Sequence, residues 1–584
     1  VRAKQTDTNS CSRATGAPHR DSAIFRRAIV ESVMFGPVLA LLAVMAAAPA
    51  AAALPGDLRP FLRDGLTGAS VPAEPQTDAL RALYESRNFE PLWFGPDGPN
   101  ARASRLTEIL RDAPSLGLIA SDYKIADLDR LRRASDARGL AEFELIMSRS
   151  VARFAADLAG GRVASVTLPA DIRISPRAVD LAAVLRDLAR ADEPARVFDA
   201  LAPQDPIYAE LLAALADLRA LKARGGWRNV DPRGGTLEPD ATDPRVPALR
   251  RRLAVTDGAA PEPPDAAAPE HYDAELVEAV KRFQRRHGLV VDGRVGPRSF
   301  AALNRTVDQR IAQVSVNLDR IRAQPPRGGT YIEVNVPAFE LRAFENGELK
   351  LEMDAIVGRA QRATPIFSTR VTEIIFNPPW TVPSKLVRED MLPRLRANPQ
   401  ALVDQGFKLF RGWGEERVEV DPRTVDWRKV SPRGMPYSMR QDPGPKNALG
   451  QVRFTMPNGF DVFLHDTPDR HYFRRTDRAL SSGCVRLERP LDLVEWVLRN
   501  TPGWDRERID ATDAEERTRH VPVRGGHPPV HLVYRTAFVE NGVLQLRDDI
   551  YGLDALFVAG IEKRPLASLA LPSEGAPAPV TLSP

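Results

Sequence analysis

The spacing of hydrophobic residues divides this 584-residue chain into a helical part and a β-rich part. From residue 60 to residue 226, apolar side chains recur at helical intervals, as at Phe143, Ile146 and Phe154. Clusters of Gly and Pro at 225–247 then interrupt the pattern. The first part of the chain is therefore predicted to be a helical domain.

A smaller helical unit is predicted next, at about 246–304. Its clearest helix covers residues 274–287, where Leu276 and Phe283 lie on one apolar face. A turn and a second short helix complete the unit. Residues 306–323 then form one more predicted helix.

From Tyr331 the hydrophobic period changes to two, which is typical of strands with one buried face. An Asn-Gly dipeptide at 346–347 is a hairpin signal, and 530–538 with 543–546 is predicted to be a late strand pair. Residues 384–447, a mixed helical and loop stretch rich in Arg, Pro and Trp, are interpreted as an insertion that covers part of this domain. The predicted fold class is multidomain α+β.

An apolar stretch at residues 33–54 follows Arg26-Arg27 and carries an Ala-x-Ala pattern at Ala51 and Ala53. This is the pattern of a secretory signal. A retained transmembrane anchor stays open as the alternative, because the stretch approaches the roughly 20 apolar residues that a spanning helix needs. Either interpretation places most of the chain outside the cytoplasm.

The charge of the chain does not indicate a nucleic-acid partner. Residues 1–53 contain six basic and three acidic residues and so supply +3 of the formal net charge of +4. The remainder is close to neutral despite a sequence pI of about 9.0. It shows no basic stripe interleaved with aromatic residues, which nucleic-acid binding would favour.

Cys484 is the one cysteine outside the predicted leader, since the other is Cys11. A lone thiol in an exported protein has no internal disulfide partner, so a chemical role explains it better than a structural one. His465, at the end of a predicted strand, is a candidate base because imidazole titrates near neutral pH.

The neighbours of Cys484 suit the same chemistry. Gly483 allows close backbone approach, so that amides around 482–484 could face an oxyanion, and Arg486 could hold a substrate carboxylate. A buried structural cysteine and a structural His465 stay open as alternatives. No metal or cofactor is predicted, because no second cysteine or closely spaced carboxylate set completes a zinc pattern.

Two groups of motifs together resemble a known family. His465-Asp466-Thr467-Pro468, followed by Ser481–Leu487, resembles the active-site signature of the L,D-transpeptidase (YkuD-type) family of bacterial cell-wall enzymes. The segments 357–359, 377–383 and 443–450 resemble the large periplasmic branch of that family, in which an insertion forms a lid. The resemblance implies a β-rich YkuD-like catalytic domain. Residues 283–296 resemble a peptidoglycan-binding domain, and the helices around them resemble the scaffold domain of that branch.

The resemblance also implies roles for individual residues. Cys484 is the expected nucleophile and His465 the expected base, with Gly483 and Ser482 beside them. Many family members carry a histidine where this chain has Ser482, so Ser482 is expected to help only through its hydroxyl or amide. The backbone carbonyl of Asp466 is expected to orient the imidazole. The candidate substrate-binding residues are Arg486, Asp466, Trp380 and Asn447.

The implied activity is acyl transfer between peptidoglycan stem peptides in the periplasm or cell envelope. Cys484 would attack the carbonyl between the third-position diamino acid and the terminal D-Ala, and an amine of a second stem would resolve the thioester into a 3-3 cross-link. Carbapenems are expected to acylate the same thiol. Hydrolysis, attachment of a protein to the wall, and a binding-only role stay open as alternatives.

The domain boundaries follow from these patterns. We predict a leader or anchor at 1–53, a helical scaffold domain at 54–240, a peptidoglycan-binding-like domain at 246–304, a scaffold helix and linker at 305–328, a catalytic domain at 329–556 containing a lid at 384–447, and a C-terminal tail at 557–584.

Overall fold

The computed structural model describes most of the chain beyond the predicted leader. No helix within the described residues is both long enough and apolar enough to cross a membrane. The predicted leader at 1–53, with Cys11, lies outside the described residues, as does the chain after residue 563. The described residues are 56–68, 75–95, 98–162, 168–174, 177, 179–259, 262–325, 327–412, 414 and 416–563.

The N-terminal domain is a helical bundle with a single apolar core. Its central helix begins after Asp136, whose side chain accepts a hydrogen bond from the Gly139 amide and so caps the first turn. Most of that helix is buried because neighbours pack on several of its sides. The helices are α1 (Arg59–Thr67), α2 (Pro75–Glu85), α3 (Ala101–Arg111), α4 (Ile125–Leu131), α5 (Ala137–Gly160), α6 (Leu181–Arg190), α7 (Pro194–Leu201) and α8 (Pro206–Ala223), with a short ribbon of β1 (Phe94–Gly95) and β2 (Gly98–Pro99).

The small unit has its own core, formed by residues between Val230 and Leu303. It contains α9 (Val246–Thr256), α10 (Ala274–Arg286) and α11 (Pro297–Leu303). The next helix, α12 (Val307–Arg322), begins with a capping box and returns to the bundle. Buried Asp319 of α12 pairs with Arg162 and Arg322, which fixes this helix in the bundle.

An 11-stranded sheet forms the β-rich domain, and α16 (Pro490–Leu498) and α17 (Arg506–Ala514) cover one of its faces. The strand order is β16-β7-β12-β13-β15-β5-β4-β3-β17-β6, with β14 paired to β5. The strands are β3 (Tyr331–Asn335), β4 (Glu340–Glu345), β5 (Glu348–Gly358), β6 (Phe367–Arg370), β7 (Glu373–Phe376), β12 (Val452–Thr455), β13 (Leu464–His465), β14 (Ala479–Ser481), β15 (Val485–Leu487), β16 (Arg519–Pro522) and β17 (Pro529–Val533).

The insertion predicted at 384–447 contains strands as well as helices and loops. Its strands join β8 in a separate four-stranded sheet of order β10-β9-β11-β8, above a core that includes Leu395, Leu409 and Trp427. The prediction of a mixed helical and loop stretch did not include these strands. The elements are β8 (Trp380–Thr381), α13 (Ser384–Leu386), α14 (Leu392–Ala397), α15 (Pro399–Val403), β9 (Phe407–Arg411), β10 (Val418–Val420) and β11 (Tyr437–Gln441).

The C-terminal elements differ from the predicted strand pair. The predicted strand at 530–538 is broken at Arg535 and Thr536, which bond to Asn335 and Asn317 instead of continuing a ladder. β17 therefore joins the large sheet, while β18 (Ala537–Glu540) pairs with β19 (Val543–Leu546). The last helix, α18 (Leu553–Glu562), continues past the predicted start of a tail at residue 557.

Candidate active site

The pairing of β13 with β15 brings the two candidate catalytic residues to one face of the sheet. The strands are parallel, with Leu464 opposite Val485 and His465 opposite Arg486. Leu464 and Val485 are buried in the apolar core. Because side chains alternate along a strand, His465 and Arg486 lie on the opposite face. Cys484 directly precedes β15, and the charge of Arg486 acts on its thiol.

Cys484 is half-buried and carries a free thiol. Its Sγ donates to the carbonyl oxygen of Asp461 at 3.9 Å, and no hydrogen bond joins it to His465 in this conformation. Burial raises the pKa of the Cys484 thiol, although the Phe463 amide and the guanidinium groups of Arg453 and Arg486 oppose the shift. The thiol is therefore protonated at neutral pH in this conformation.

His465 is buried, and its Nδ1 lies 2.5 Å from the carbonyl oxygen of Asp466. A carbonyl only accepts hydrogen bonds, so Nδ1 carries the proton of the neutral ring, and the Leu449 backbone also interacts with the imidazole. Burial lowers the pKa of His465 to about 3, and the nearby positive charge of Arg486 contributes to the shift. The imidazole is thus neutral across the physiological range.

The turn before Cys484 depends on Gly483, whose φ is +121°. A Cβ at this position would meet no atom closer than 3.8 Å, so backbone conformation and not space requires the glycine. The Gly483 amide donates to Ser481 Oγ at 3.1 Å, and that hydroxyl donates to the Cys484 carbonyl at 2.5 Å. The Gly483 amide is therefore engaged and does not face an oxyanion in this conformation.

The carbonyl side of the same turn is held by Thr364. Its hydroxyl donates to the Gly483 carbonyl at 2.8 Å and accepts from the Gly358 amide at 2.8 Å. Tyr551, near the C-terminal end of the described chain, donates its hydroxyl proton to the Gly358 carbonyl at 2.5 Å. Residues from two distant segments, 358–364 and Tyr551, thus fix the backbone that presents the thiol.

Ser482 is exposed, and its hydroxyl accepts a hydrogen bond from Arg362 Nη1 at 3.0 Å. The same guanidinium binds Asp390 at 2.5 and 2.8 Å and Glu389 at 2.7 Å, both in the insertion. Sequence reasoning did not identify Arg362. The available signal was its place in a polar turn between two of the motif segments.

Arg486 and Asp466 are both partly occupied by neighbouring residues. Arg486 Nη1 lies 3.3 Å from Asp469 Oδ2, while its buried Nε has no partner. The Asp466 carboxylate accepts from the Gln451 amide and from Arg470, each at 2.9 Å. Arg486 keeps donors for a ligand, whereas the Asp466 side chain holds the surrounding turns.

Asn447 and Trp380 lie where the insertion meets the sheet. Asn447 is buried and donates to the carbonyls of Pro378 and Asp442 at 3.1 and 3.0 Å, so its side chain anchors the junction and is not free for substrate. Trp380 is half-buried, with its ring centroid 6.0 Å from that of Phe407. The substrate-binding prediction for Asn447 does not fit this geometry.

Within the described part of the chain, one group of three carboxylates has the spacing of metal ligands: Glu340, Glu352 and Glu540. They surround Arg342, which pairs with all three. A guanidinium already occupies the position that a cation would take. The group is therefore an ion-pair network, and it is not part of the Cys484 site.

Three regions of the chain match described families. Residues 78–215 match a scaffold domain family, residues 242–303 match a family described as "Putative peptidoglycan binding domain", and residues 329–504 match the YkuD family, described as "L,D-transpeptidase catalytic domain". The three matches lie in the bundle, the small unit and the large sheet, respectively.

A curated relative from Haemophilus influenzae, named "Putative L,D-transpeptidase", is 37% identical over 243 residues. That match covers 41% of this chain and 48% of the relative, so the chain spans about half the length of the curated relative it matches. An L,D-transpeptidase structure from Xylanimonas cellulosilytica is 17% identical with a TM-score of 0.17, over 52% of this chain and 100% of that one. The Ldtfm–avibactam carbamoyl enzyme is 12% identical with a TM-score of 0.17, over 36% of this chain and 51% of that one. TM-scores this low support no argument about the fold.

Proposed function

We propose that this chain forms 3-3 cross-links between peptidoglycan stem peptides through a thioester on Cys484, since its residues 329–504 match the L,D-transpeptidase catalytic domain family. The observation that carries the proposal is the parallel register of β13 and β15, which pairs His465 with Arg486, two residues after Cys484. A thiol beside a neutral imidazole acceptor is the arrangement that cysteine acyl transfer requires.

The first step is attack on the donor stem peptide. The thiol turns from the Asp461 carbonyl toward His465, and Nε2 takes its proton as Sγ bonds to the carbonyl carbon between the diamino acid and the terminal D-Ala. The Asp466 carbonyl supports this step because its hydrogen bond with Nδ1 fixes the tautomer and stabilises the imidazolium that forms. The C–N bond then breaks, the imidazolium protonates the departing D-Ala amine, and a thioester remains.

The second step is aminolysis. The side-chain amine of a second stem peptide attacks the thioester carbonyl, and His465 accepts a proton from that amine. The C–S bond then breaks as the cross-link amide forms, and the imidazolium returns the proton to the Cys484 thiolate. Water would give a tripeptide instead. The insertion supports cross-linking over hydrolysis, since it is a folded unit tied beside the thiol through Arg362 and Ser482.

The small unit is proposed to hold the enzyme on its polymeric substrate in the cell envelope. Its match to a peptidoglycan-binding family supports this role. The unit is attached near the catalytic domain, because Arg547 donates to the Arg286 carbonyl at 3.0 Å and Arg298 pairs with Asp548 at 3.1 Å. Export through the residue 1–53 leader is part of the same proposal.

The test is intact mass spectrometry of wild type and Cys484→Ala after incubation with a tetrapeptide muropeptide, and separately with a carbapenem. We expect an adduct on wild type only, with cross-linked dimer among the muropeptides. An adduct with tripeptide as the sole product would show a hydrolase. Undiminished cross-linking by Cys484→Ala would refute the mechanism.

A further inference from the structure

A row of side chains crosses the open face of the sheet beside the thiol. Antiparallel pairing places Arg453 of β12 directly opposite His465 of β13, and parallel pairing places Arg486 of β15 on the other side of His465. Paired residues on adjacent strands face the same side of a sheet. The imidazole therefore stands between two guanidinium groups.

Arg453 differs from the other arginines around the site because it has no anionic partner. Arg486 pairs with Asp469, Arg470 with Asp466, and Arg362 with Asp390 and Glu389. The Arg453 side chain makes no hydrogen bond or ion pair with any residue in the described ranges, and its Nε is buried without a partner. Burial without a counter-ion in contact is unfavourable for a cation. Burial lowers the pKa of Arg453, although the negative charge of Glu373 opposes the shift.

The position of this guanidinium is fixed by Phe463. The Arg453 Cζ lies 4.3 Å from the centre of the Phe463 ring, and that ring lies 5.6 Å from the His465 ring. Stacking covers one face of the guanidinium and the protein covers Nε, so a ligand reaches it at the Nη end.

The Phe463 backbone also adjoins the nucleophile, because its carbonyl accepts from the Val485 amide at 3.2 Å. Cys484 Sγ bonds to Asp461 and not to Arg453. The guanidinium is thus near the thiol without contacting it. This separation suits a group on the substrate that lies a few covalent bonds from the carbonyl under attack.

We propose that Arg453 binds a carboxylate of the donor stem peptide and so determines which donors acylate Cys484. A planar guanidinium with two free nitrogens suits a carboxylate, which it can bind through two parallel hydrogen bonds. The inference rests on the proposed function. Two donor carboxylates carry the same chemistry: that of the terminal D-residue, and that of the diamino acid side chain where one is present.

Three synthetic donors separate these sources. The first carries both carboxylates, the second has a terminal carboxamide, and the third has L-lysine as its diamino acid and so lacks the side-chain carboxylate. The rate of acyl-enzyme formation is measured by mass for wild type, Arg453→Met and Arg453→Lys. The matched control is Arg63→Met, which removes a guanidinium lying over Phe89 in the helical bundle.

We expect Arg453→Met to lower kcat/KM for the first donor by about tenfold to a hundredfold, the range of a charged hydrogen bond. Wild type should lose a similar factor on whichever donor lacks the bound carboxylate, and Arg453→Met should lose nothing more on that donor. Arg453→Lys should recover part of the loss, and Arg63→Met should match wild type.

Equal slowing of all three donors by Arg453→Met would overturn the proposal, because Arg453 would then act on the thiol itself. The rate of Cys484 alkylation by iodoacetamide against pH gives the second readout. The Arg453 charge lowers the pKa of Cys484, so Arg453→Met should shift this profile to higher pH by an amount that is independent of the donor, and only the donor-dependent loss reports carboxylate binding. If Arg453→Met does not fold, the three donors are compared on wild type alone. Equal acylation rates of wild type with all three donors would also overturn the proposal. Failure of wild type with every donor would instead contradict the proposed function.

Discussion

Arg362 Nη1 donates a hydrogen bond to Ser482 Oγ at 3.0 Å, two residues before the candidate nucleophile. The same side chain makes ion pairs to Asp390 and Glu389 in the insertion. One guanidinium therefore joins the cysteine turn to the separately folded unit beside it. Position of the insertion and geometry of the turn are coupled through this contact.

Loss of the Arg362 contact should change the ratio of hydrolysis to cross-linking more than it changes the binding of the donor stem peptide. We expect Arg362→Met to raise the ratio of tripeptide to cross-linked dimer several-fold, because a looser insertion admits water to the thioester. Product ratios are measured by chromatography of muropeptides. Arg423→Met, which breaks an exposed pair with Asp421 in the same insertion, is the control and should leave the ratio unchanged. An unaltered ratio in Arg362→Met would contradict a lid role.

Ser482 is expected to contribute little beyond this one hydrogen bond. Ser482→Ala leaves the Arg362 pairs to Asp390 and Glu389 intact, so acylation by a carbapenem should fall by about tenfold or less. The loss is measured as the second-order rate constant of adduct formation. A loss as large as that of Cys484→Ala would mean that the hydroxyl takes part directly in proton transfer.

The pH dependence of acylation should lack a histidine step. Burial lowers the pKa of His465 to about 3 and raises the pKa of Cys484. The imidazole stays neutral and the thiol protonated from about pH 5 to about pH 8, so both reacting states keep constant populations there. We expect a flat carbapenem acylation rate over this range. An inflection near the ordinary histidine pKa would indicate a solvated imidazole or a preformed ion pair.

Gly483 should tolerate no side chain. Its φ of +121° is strained for any residue with a Cβ, although the space around it is open. We expect Gly483→Ala to lower the free energy of unfolding by about 1–3 kcal/mol or to shift the turn and abolish acylation. Gly434→Ala is the matched control, since nothing lies within 4 Å of its added Cβ and its φ is ordinary. Wild-type stability together with wild-type acylation in Gly483→Ala would show that the turn relaxes without cost.

The helical bundle should lose stability as the pH rises. Burial raises the pKa of Glu144 to about 7, although Tyr84 and the amides of Leu92 and Trp93 donate to its carboxylate. The folded protein holds a proton that the unfolded chain has released, so the free energy of unfolding falls between about pH 5 and about pH 7, by a few kcal/mol at most.

Thermal unfolding of wild type and Glu144→Gln at both ends of that range measures this effect. The fall in melting temperature should be smaller in Glu144→Gln, whose side chain does not titrate. Exposed Glu90→Gln should keep the wild-type dependence. Parallel behaviour of Glu144→Gln and wild type would exclude Glu144 as the source.

Hydrophobic periodicity was sufficient to predict the multidomain α+β fold class and several of the helices. The helix predicted at 306–323 is α12, and the change of period at Tyr331 marks the first strand of the large sheet. Pairing between distant segments was not predictable, because β3 and β17 belong to different parts of the sequence and alternation does not specify a partner.

The residues of the candidate site also divide into those that the sequence predicted and those that only the structure identified. Cys484 and His465 could be chosen from residue chemistry and motif, whereas Arg453 and Arg362 became visible only through their neighbours. Arg453 occupies an ordinary alternating position in a strand, and its significance comes from facing His465 without a counter-ion. Asn447 lies in a recognisable motif, yet its side-chain amide donates a hydrogen bond to the backbone carbonyl of Pro378. Motif membership did not distinguish ligand contact from support.

The late position of β17 and Tyr551 in the chain bears on how the protein is made. β17 pairs with β3 on one side and with β6 on the other, and Tyr551 braces Gly358 below the cysteine turn. A chain synthesised or translocated from its N-terminus therefore holds β3 and β6 as open sheet edges until those last segments emerge. A chain shortened at residue 504 would lack β17, so the edges of β3 and β6 would stay unpaired. We expect such a chain to aggregate and not to form a minimal enzyme.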